Sequence, residues 1–156
     1  MGRLEHQDKE KIIQLAANLD NDLETKDIGK VIPYFSEDCE IELLGIMLRG
    51  LSGVRNWLEW FFDMFEKIKF EPIVIMVHED IFFEEFKITV FSKNNEKISV
   101  KMAEVLKYKN YKIISLRLYF DRLELAESVI DGFFTEKIIK AIKKKSLKGL
   151  TQKYSN

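Results

Sequence analysis

Apolar residues recur at three- and four-residue spacing near the start of the chain, which is the pattern of an amphipathic helix. The pattern extends from residue 8 to residue 25 and predicts a helix with one buried face. A second, shorter helix is predicted after Asp27 and a third after Ser52, because the side chains of both residues can act as N-caps. The apolar positions are Ile12, Leu15, Ala16, Leu19 and Leu23 in the first helix, Ile28, Val31, Ile32 and Phe35 in the second, and Val54, Trp57, Leu58, Phe61, Phe62 and Phe65 in the third.

Five segments are predicted as strands, four from a period-two alternation of apolar and polar residues and one, 70–77, from its apolar and β-branched residues. The first segment, 40–43, lies between the second and third helices. The others are 70–77, 81–91, 98–108 and 111–120, separated by turns near 79–80, 94–95 and 109–110. This order predicts an α+β domain in which three N-terminal helices pack on one face of a curved, largely antiparallel sheet.

The same alternation assigns one face of each strand to the interior. In segments 81–91 and 98–108 the even-numbered positions are apolar, with Glu84 and Glu104 as the two exceptions. In the last strand the even-numbered positions from Ile114 to Phe120 are predicted to face inward. Two carboxyl groups therefore stand on an apolar face, where unpaired charged residues are rare.

The pairing register decides whether these two glutamates meet. A turn centred on Asn94 places Glu84 directly opposite Glu104, whereas a turn centred on Asn95 separates them by a diagonal. In the first register, burial and like charge would raise the pKa of at least one carboxyl group and favour a shared proton. The sequence leaves both registers open.

Three segments carry a resemblance to a known family: 34–38 (YFSED), Arg49-Gly50 before the third helix, and 112–121 (KIISLRLYFD). With the order of elements, they resemble the nuclear transport factor 2-like superfamily, and within it the SnoaL-like proteins, limonene-1,2-epoxide hydrolase and ketosteroid isomerase. The resemblance covers residues 8–125 and implies a cystatin-like cone, in which a curved sheet surrounds an apolar cavity. It also implies a homodimer formed through the outer sheet face. Residues 126–156 would add a C-terminal helix and a Lys-rich tail.

The catalytic residues of these relatives are only partly present. When this sequence is aligned with the epoxide hydrolase by the resemblance, the catalytic triad of that enzyme corresponds to Phe86, Ile88 and Leu118, none of which can activate a water molecule. The base of ketosteroid isomerase corresponds to Leu43, whereas its second acid corresponds to Glu104. The resemblance therefore implies half of one known site.

Three hypotheses about function follow. In the first, the apolar cavity binds a hydrophobic small molecule; in the second, Glu104 assisted by Glu84 acts as a general acid/base in an isomerase, cyclase or hydrolase. In the third, the chain is a non-enzymatic interaction module that uses the outer sheet face or the lysine tail.

Asp121 is a third candidate catalytic residue, with the alternative that it caps a following helix. For the glutamates, the alternative is a place at the rim or an ion pair with Arg49 or Arg55. The predicted ligand-binding residues are Ile41, Leu43, Trp57, Phe61, Phe82, Phe86, Ile88, Met102, Leu116, Leu118 and Phe120.

Composition excludes several other classes of protein. With 156 residues, 46% hydrophobic, the chain has the size of one folded domain, and its single cysteine, Cys39, excludes an internal disulfide. The first residues lack the apolar stretch of a secretory signal and no apolar run is long enough to span a membrane, so a cytoplasmic protein is expected. Gly-rich phosphate loops and His/Cys pairs at zinc-binding spacing are lacking, so neither a cofactor nor a metal is expected.

Charge is distributed unevenly along the chain. The formal net charge is only −1, which argues against a nucleic-acid partner for the whole protein. From Lys137 onwards, however, the sequence holds seven lysines and no acidic residue. Ile138, Ile139 and Ile142 between these lysines form a basic amphipathic pattern. A docked helix with a solvated tail and a surface that contacts anionic lipid or nucleic acid are the two alternatives.

Overall fold

The computed structural model describes residues 6–129 and 133–148. The chain forms two compact units, one ending at Phe120 and the other beginning at Asp121. The domain boundary predicted at residue 125 stays a prediction.

The helices of the first unit follow the apolar periodicity. Helix α1 spans Lys9–Glu24 and is capped by Asp8, whose carboxylate accepts a hydrogen bond from the Lys11 N–H. It buries the predicted stripe except Leu15, which is half-buried. Helix α2, Ile28–Val31, is capped by Asp27 as predicted and continues into a 3₁₀ turn at Ile32–Tyr34. Helix α3 spans Gly50–Met64 and buries an aromatic-rich face.

Six strands form one curved, unclosed sheet. They are β1 Phe35–Leu43, β2 Ile46–Arg49, β3 Lys67–His78, β4 Ile81–Phe91, β5 Lys97–Lys109 and β6 Lys112–Phe120. Their order across the sheet is β2-β1-β6-β5-β4-β3, with β1 parallel to β6 and all other neighbours antiparallel. The predicted α+β class with a largely antiparallel sheet is confirmed.

The segment before α3 differs from the prediction in two ways. The chain turns at Leu44 and Gly45, both with positive φ, and forms the short strand β2, which the alternation did not indicate because it has four residues. It then enters α3 at Gly50 rather than after Ser52, so Ser52 is not the N-cap. A Cβ atom at Gly50 would lie 3.3 Å from the Glu37 carbonyl oxygen, and φ there is +67°, which favours glycine.

The prediction of which residues face inward at the start of the last strand is wrong, because β6 has a β-bulge there. Lys107 pairs with Ser115, but Tyr108 pairs with Ile113, so one residue of β6 is extra at this point. Ile113 is fully buried, whereas Ile114, which the alternation assigned to the interior, is only half-buried. Beyond the bulge the predicted face is correct, beginning with the buried Leu116.

The β4–β5 register is the first of the two that the sequence allowed. Glu84 lies directly opposite Glu104, and Glu104 lies opposite Leu118 on β6. On the helical side of the sheet, α1 packs against β3 and α3 packs against β1. The two glutamates therefore lie in the interior, near the middle of the sheet.

The described part of the second unit has two helices, one directly after Asp121, as the capping alternative predicted, and one in the region of the predicted C-terminal helix. Helix α4 spans Arg122–Val129 and α5 spans Phe133–Leu147, and the two contact each other. Asp121 caps α4, because its Oδ1 accepts hydrogen bonds from the N–H groups of Leu123 at 2.8 Å and Glu124 at 3.4 Å. Among the helices described in residues 6–129 and 133–148, none has the length and apolar character needed to cross a membrane.

Candidate functional site

Three carboxyl groups meet inside the first unit. Asp20 on α1, Glu84 on β4 and Glu104 on β5 each place a carboxylate oxygen within 4.8 Å of the other two. Glu84 is 2% exposed, Glu104 is 8% exposed and Asp20 is half-buried. We call these three residues the carboxyl cluster. Such a group of acids on an apolar face is costly unless protons, cations or hydrogen-bond donors compensate it.

The helix that carries Asp20 is held in place at both ends. Gln7, just before α1, donates to the Asp80 carboxylate from its main-chain N–H at 3.2 Å and from its side chain at 2.8 Å. The Tyr111 N–H donates to the Gln7 side chain, so two loops of the sheet are joined to the start of α1. At the other end, Glu24 accepts a hydrogen bond of 2.8 Å from the Phe70 N–H. These contacts position the helix over the inner sheet face.

The surroundings raise the pKa of all three carboxyl groups. Burial, followed by the charges of Glu84 and Glu24, raises the pKa of Asp20 to about 8. Burial raises the pKa of Glu84 to about 7. For Glu104, burial and then the charges of Asp20 and Glu84 raise the pKa well above its usual range. These shifts favour the protonated forms of the three carboxyl groups, and Glu84, with a pKa of about 7, is close to its titration point at neutral pH.

Tyr108 adds a hydroxyl group to the same interior. It lies on β5, is 1% exposed, and its pKa is raised by burial and by the charges of Glu104 and Asp20. Within the described residues its hydroxyl is the one buried side-chain polar atom without a hydrogen-bond partner. Since buried hydroxyl groups are normally paired, this atom is a candidate contact for a bound molecule.

Replacement of Tyr108 by phenylalanine is expected to leave the free energy of unfolding unchanged or to raise it by about 1 kcal/mol, because a buried hydroxyl without a partner costs stability. Urea unfolding followed by circular dichroism measures this difference. A loss of stability in Tyr108→Phe would show that the hydroxyl has a stabilising partner in solution.

The cluster has the groups for two kinds of chemistry, cation binding and proton transfer. Hard cations such as Ca²⁺ bind ionised carboxylate oxygens, and three of these lie within 4.8 Å of one another here. Without a cation the pKa values of Asp20, Glu84 and Glu104 are raised, whereas a bound cation would lower them. A neutral acid beside a carboxyl group of pKa about 7 can instead donate a hydrogen bond and accept a proton.

The predicted ligand-binding side chains lie in the interior of the first unit to different extents. Most are buried, and the half-buried ones are Phe61, Leu118 and Phe120. On the inner face, Glu84 and Glu104 belong to a row of directly opposite residues on neighbouring strands. The row ends at Leu118 on β6 and at Ile75 on β3, which is 40% exposed. The buried members are Ile41, Leu43, Trp57, Phe82, Phe86, Ile88, Met102 and Leu116.

The structure decides between the alternatives stated for the acidic candidates. Both glutamates are buried, the Arg49 guanidinium instead donates to Glu40 at 3.0 Å, and among the described residues neither glutamate forms an ion pair with Arg55, so the rim position and the predicted ion pairs are wrong. Asp121 is exposed and acts as the cap described above. It therefore has no place in the site proposed below.

Asp20 and Tyr108 were missed by the sequence reasoning, although each carried a signal. Asp20 continues the four-residue spacing of Ile12 and Ala16, which places it on the buried stripe of α1. Tyr108 is the next even-numbered position after Leu106 on the inner face of β5. A polar residue at a position that the periodicity assigns to the interior is therefore a candidate for a buried functional group.

A surface depression of about 480 Å³ lies apart from the cluster. Its central residues occupy the odd-numbered positions of β4 and β5, on the face opposite Glu84 and Glu104. It is therefore not the interior cavity that the resemblance implies, which stays a prediction. The residues that line it are Phe83, Glu85, Lys101, Met102, Ala103, Tyr119 and Phe120.

Comparisons with known proteins agree with this fold. Residues 17–116 match the family described as the SnoaL-like domain. A comparison of the sequence with curated proteins finds no match. A similar solved structure is a nuclear transport factor 2-like protein of unknown function from Burkholderia pseudomallei, with 13% identity and a TM-score of 0.71, covering 78% of this chain and 98% of that one.

Two further solved structures are similar at low identity. A putative SnoaL-like polyketide cyclase from a Jannaschia species has 9% identity and a TM-score of 0.71, covering 83% of this chain and 96% of that one. A hypothetical protein with a ketosteroid isomerase-like fold from Catenulispora acidiphila, in complex with trimethylamine, has 14% identity and a TM-score of 0.68, covering 74% and 92%. At these identities the similarity shows the fold alone.

Proposed function

Because the chain belongs to the SnoaL-like family, we propose that it binds a hydrophobic small molecule with a carbonyl group and transfers a proton on that molecule through the carboxyl cluster. The observation that carries this proposal is the meeting of Asp20, Glu84 and Glu104 within 4.8 Å on an otherwise apolar inner face. Binding sites for small molecules are typically apolar with a few convergent polar groups.

Each glutamate has a role in this proposal. Glu104, whose pKa is raised by burial and by the charges of Asp20 and Glu84, carries a proton and donates a hydrogen bond to the carbonyl oxygen of the ligand. Glu84, with a pKa of about 7, accepts the proton from the carbon next to the carbonyl. The C–H electron pair then forms the enolate, whose charge the Glu104 hydrogen bond stabilises. Return of the proton to carbon regenerates Glu84.

The relatives support this class of reaction without naming a substrate. The similar structures include a putative polyketide cyclase and a protein with a ketosteroid isomerase-like fold. Both descriptions belong to proteins less than 25% identical to this chain, so the fold is shared and the activity is our proposal.

Partner and location remain predictions. The exposed apolar residues Val74 and Met76 on the edge strand β3 lie opposite Glu85 and Phe83 on the outer face, and they support an interface with a second copy through that face, as the resemblance implies. An interaction module without turnover is the second candidate, and the same exposed residues favour it. The cytoplasmic location predicted from the sequence also stays a prediction.

Hydrogen exchange on an apolar ketone tests the proposal. The full chain is incubated in D₂O with 2-tetralone, a bicyclic ketone with acidic protons beside its carbonyl group, and their loss is followed by proton NMR. We expect exchange faster than in buffer by about 10²-fold or more, because positioned acid/base groups contribute accelerations of this size. The pH dependence of the rate should reflect a group with a pKa of about 7, as found for Glu84.

Two results would count against the proposal in different ways. If ligand-observed NMR shows binding of 2-tetralone without accelerated exchange, the site binds apolar ketones and the catalytic part is wrong. If 2-tetralone and its smaller relatives 2-indanone and cyclohexanone neither bind nor exchange, the assignment of the carboxyl cluster to carbonyl ligands is wrong.

A further inference from the structure

Helix α5 has a charge pattern that the proposed function does not use. Between residues 136 and 148 the chain has six lysines and a single acidic residue, Glu136. The lysines near its end, Lys144, Lys145 and Lys148, are exposed. This density of one charge favours contact with a polyanionic partner.

Apolar side chains stand next to this charge on the same exposed surface. Ile138 is 58% exposed and Ile142 is 48% exposed, whereas Ile139 between them is buried. Positions 141, 142 and 145 lie three, four and seven residues after position 138, so Ile138, Ala141, Ile142 and Lys145 share one face of the helix. Large apolar side chains in water beside a row of lysines form the pattern of an interfacial amphipathic helix.

The combination of lysines and exposed isoleucines on α5 favours a lipid surface over a nucleic acid as the partner. The phosphate backbone of a nucleic acid would attract the lysines but would leave Ile138 and Ile142 in water. A bilayer surface can take both, because its acyl boundary buries the isoleucines while its anionic headgroups attract the ammonium groups. Long lysine side chains can extend to the headgroups while their methylene groups cover apolar surface.

We propose that the exposed residues Ile138, Ile142, Lys144 and Lys145 of α5, with Lys148 directly after the helix, dock on the surface of an anionic membrane. The helix lies on the surface and does not cross the bilayer, consistent with its length and charge. This contact is independent of the carboxyl cluster, so either proposal can fail without the other.

Vesicle co-sedimentation of the full chain tests the docking. The vesicles contain phosphatidylcholine alone or phosphatidylcholine and phosphatidylserine in a two-to-one ratio. We expect binding to the phosphatidylserine vesicles that weakens with added salt. Combining Lys144→Gln, Lys145→Gln and Lys148→Gln should weaken it by about 100-fold, since each lysine near an anionic surface contributes roughly 1 kcal/mol.

Two further variants serve as controls. The first tests whether the position of the lysines matters rather than the total charge, and the second tests whether the partner is a lipid surface or a nucleic acid. Lys30→Gln, Lys93→Gln and Lys97→Gln together remove the same charge from exposed positions elsewhere and should leave binding unchanged. Ile138→Ser with Ile142→Ser should weaken vesicle binding but not binding to duplex DNA, with circular dichroism as the check on folding.

Three results would overturn the docking proposal. The first is that the chain does not bind the phosphatidylserine vesicles at low salt. The second is that the two triple lysine variants lose vesicle binding equally. The third is that the chain binds DNA more tightly than vesicles and that the isoleucine changes do not affect DNA binding. The last result would assign the face to nucleic acid.

Discussion

Replacement of Glu84 by glutamine is expected to slow the exchange of 2-tetralone protons by about 10²–10⁴-fold, the usual contribution of a positioned general base. An amide keeps the shape of the side chain but cannot accept the proton. Glu84 is the group assigned to this step because it lies opposite Glu104 and has a pKa of about 7. The exchange rate measured by proton NMR gives the ratio directly.

The neighbouring residue provides a matched control. Glu85 is on the same strand, but it faces the opposite side of the sheet, across from Ala103. Glu85→Gln is therefore expected to exchange protons at the rate of the unmodified chain. Equal rates for Glu84→Gln and the unmodified chain would show that another group is the base.

The protein is expected to be less stable at alkaline than at mildly acidic pH. At intermediate pH the folded chain keeps protons on Asp20, Glu84 and Glu104, whereas the unfolded chain has lost them, so the folded state binds more protons. The stabilisation is complete below the ordinary carboxyl pKa and is lost as pH rises through the raised pKa values of about 7 and 8. The free energy of unfolding should fall by about 5 kcal/mol between roughly pH 5 and pH 8.

Surface carboxylates do not oppose this trend in the same range. The pKa of Asp80 is lowered by hydrogen bonds from Gln7, and that of Glu71 by Lys87. These groups are ionised in both states above about pH 5, so they add no slope there. Urea unfolding at a series of pH values measures the change.

A triple amide variant isolates the cluster as the cause. Combining Asp20→Asn, Glu84→Gln and Glu104→Gln should remove most of the decline in stability. The matched combination Glu42→Gln, Asp63→Asn and Glu85→Gln, outside the cluster, should keep it. A decline that is equally steep in both combinations would contradict the assignment to the buried carboxyl groups.

Much of the fold could be predicted because its signals are local. The α1 stripe, the Asp27 cap and the alternation in β4 and β5 each depend on residues a few positions apart. The errors occurred where the chain departs from a regular period. The bulge in β6 moved the buried position from Ile114 to Ile113, and the four residues of β2 were too few to show an alternation.

The sequence by itself determined that Glu84 and Glu104 share the inner face of neighbouring strands, because side chains in a strand alternate with period two. It left their register open, since a shift of one residue in the turn changes which residues face each other. Only the tertiary structure placed Glu84 opposite Glu104 and brought Asp20 to them, because α1 packs onto the sheet although Asp20 lies more than 60 residues before Glu84 along the chain. The perturbed pKa values arise from that packing. Burial and mutual repulsion depend on distance in space, which no local pattern of residues specifies.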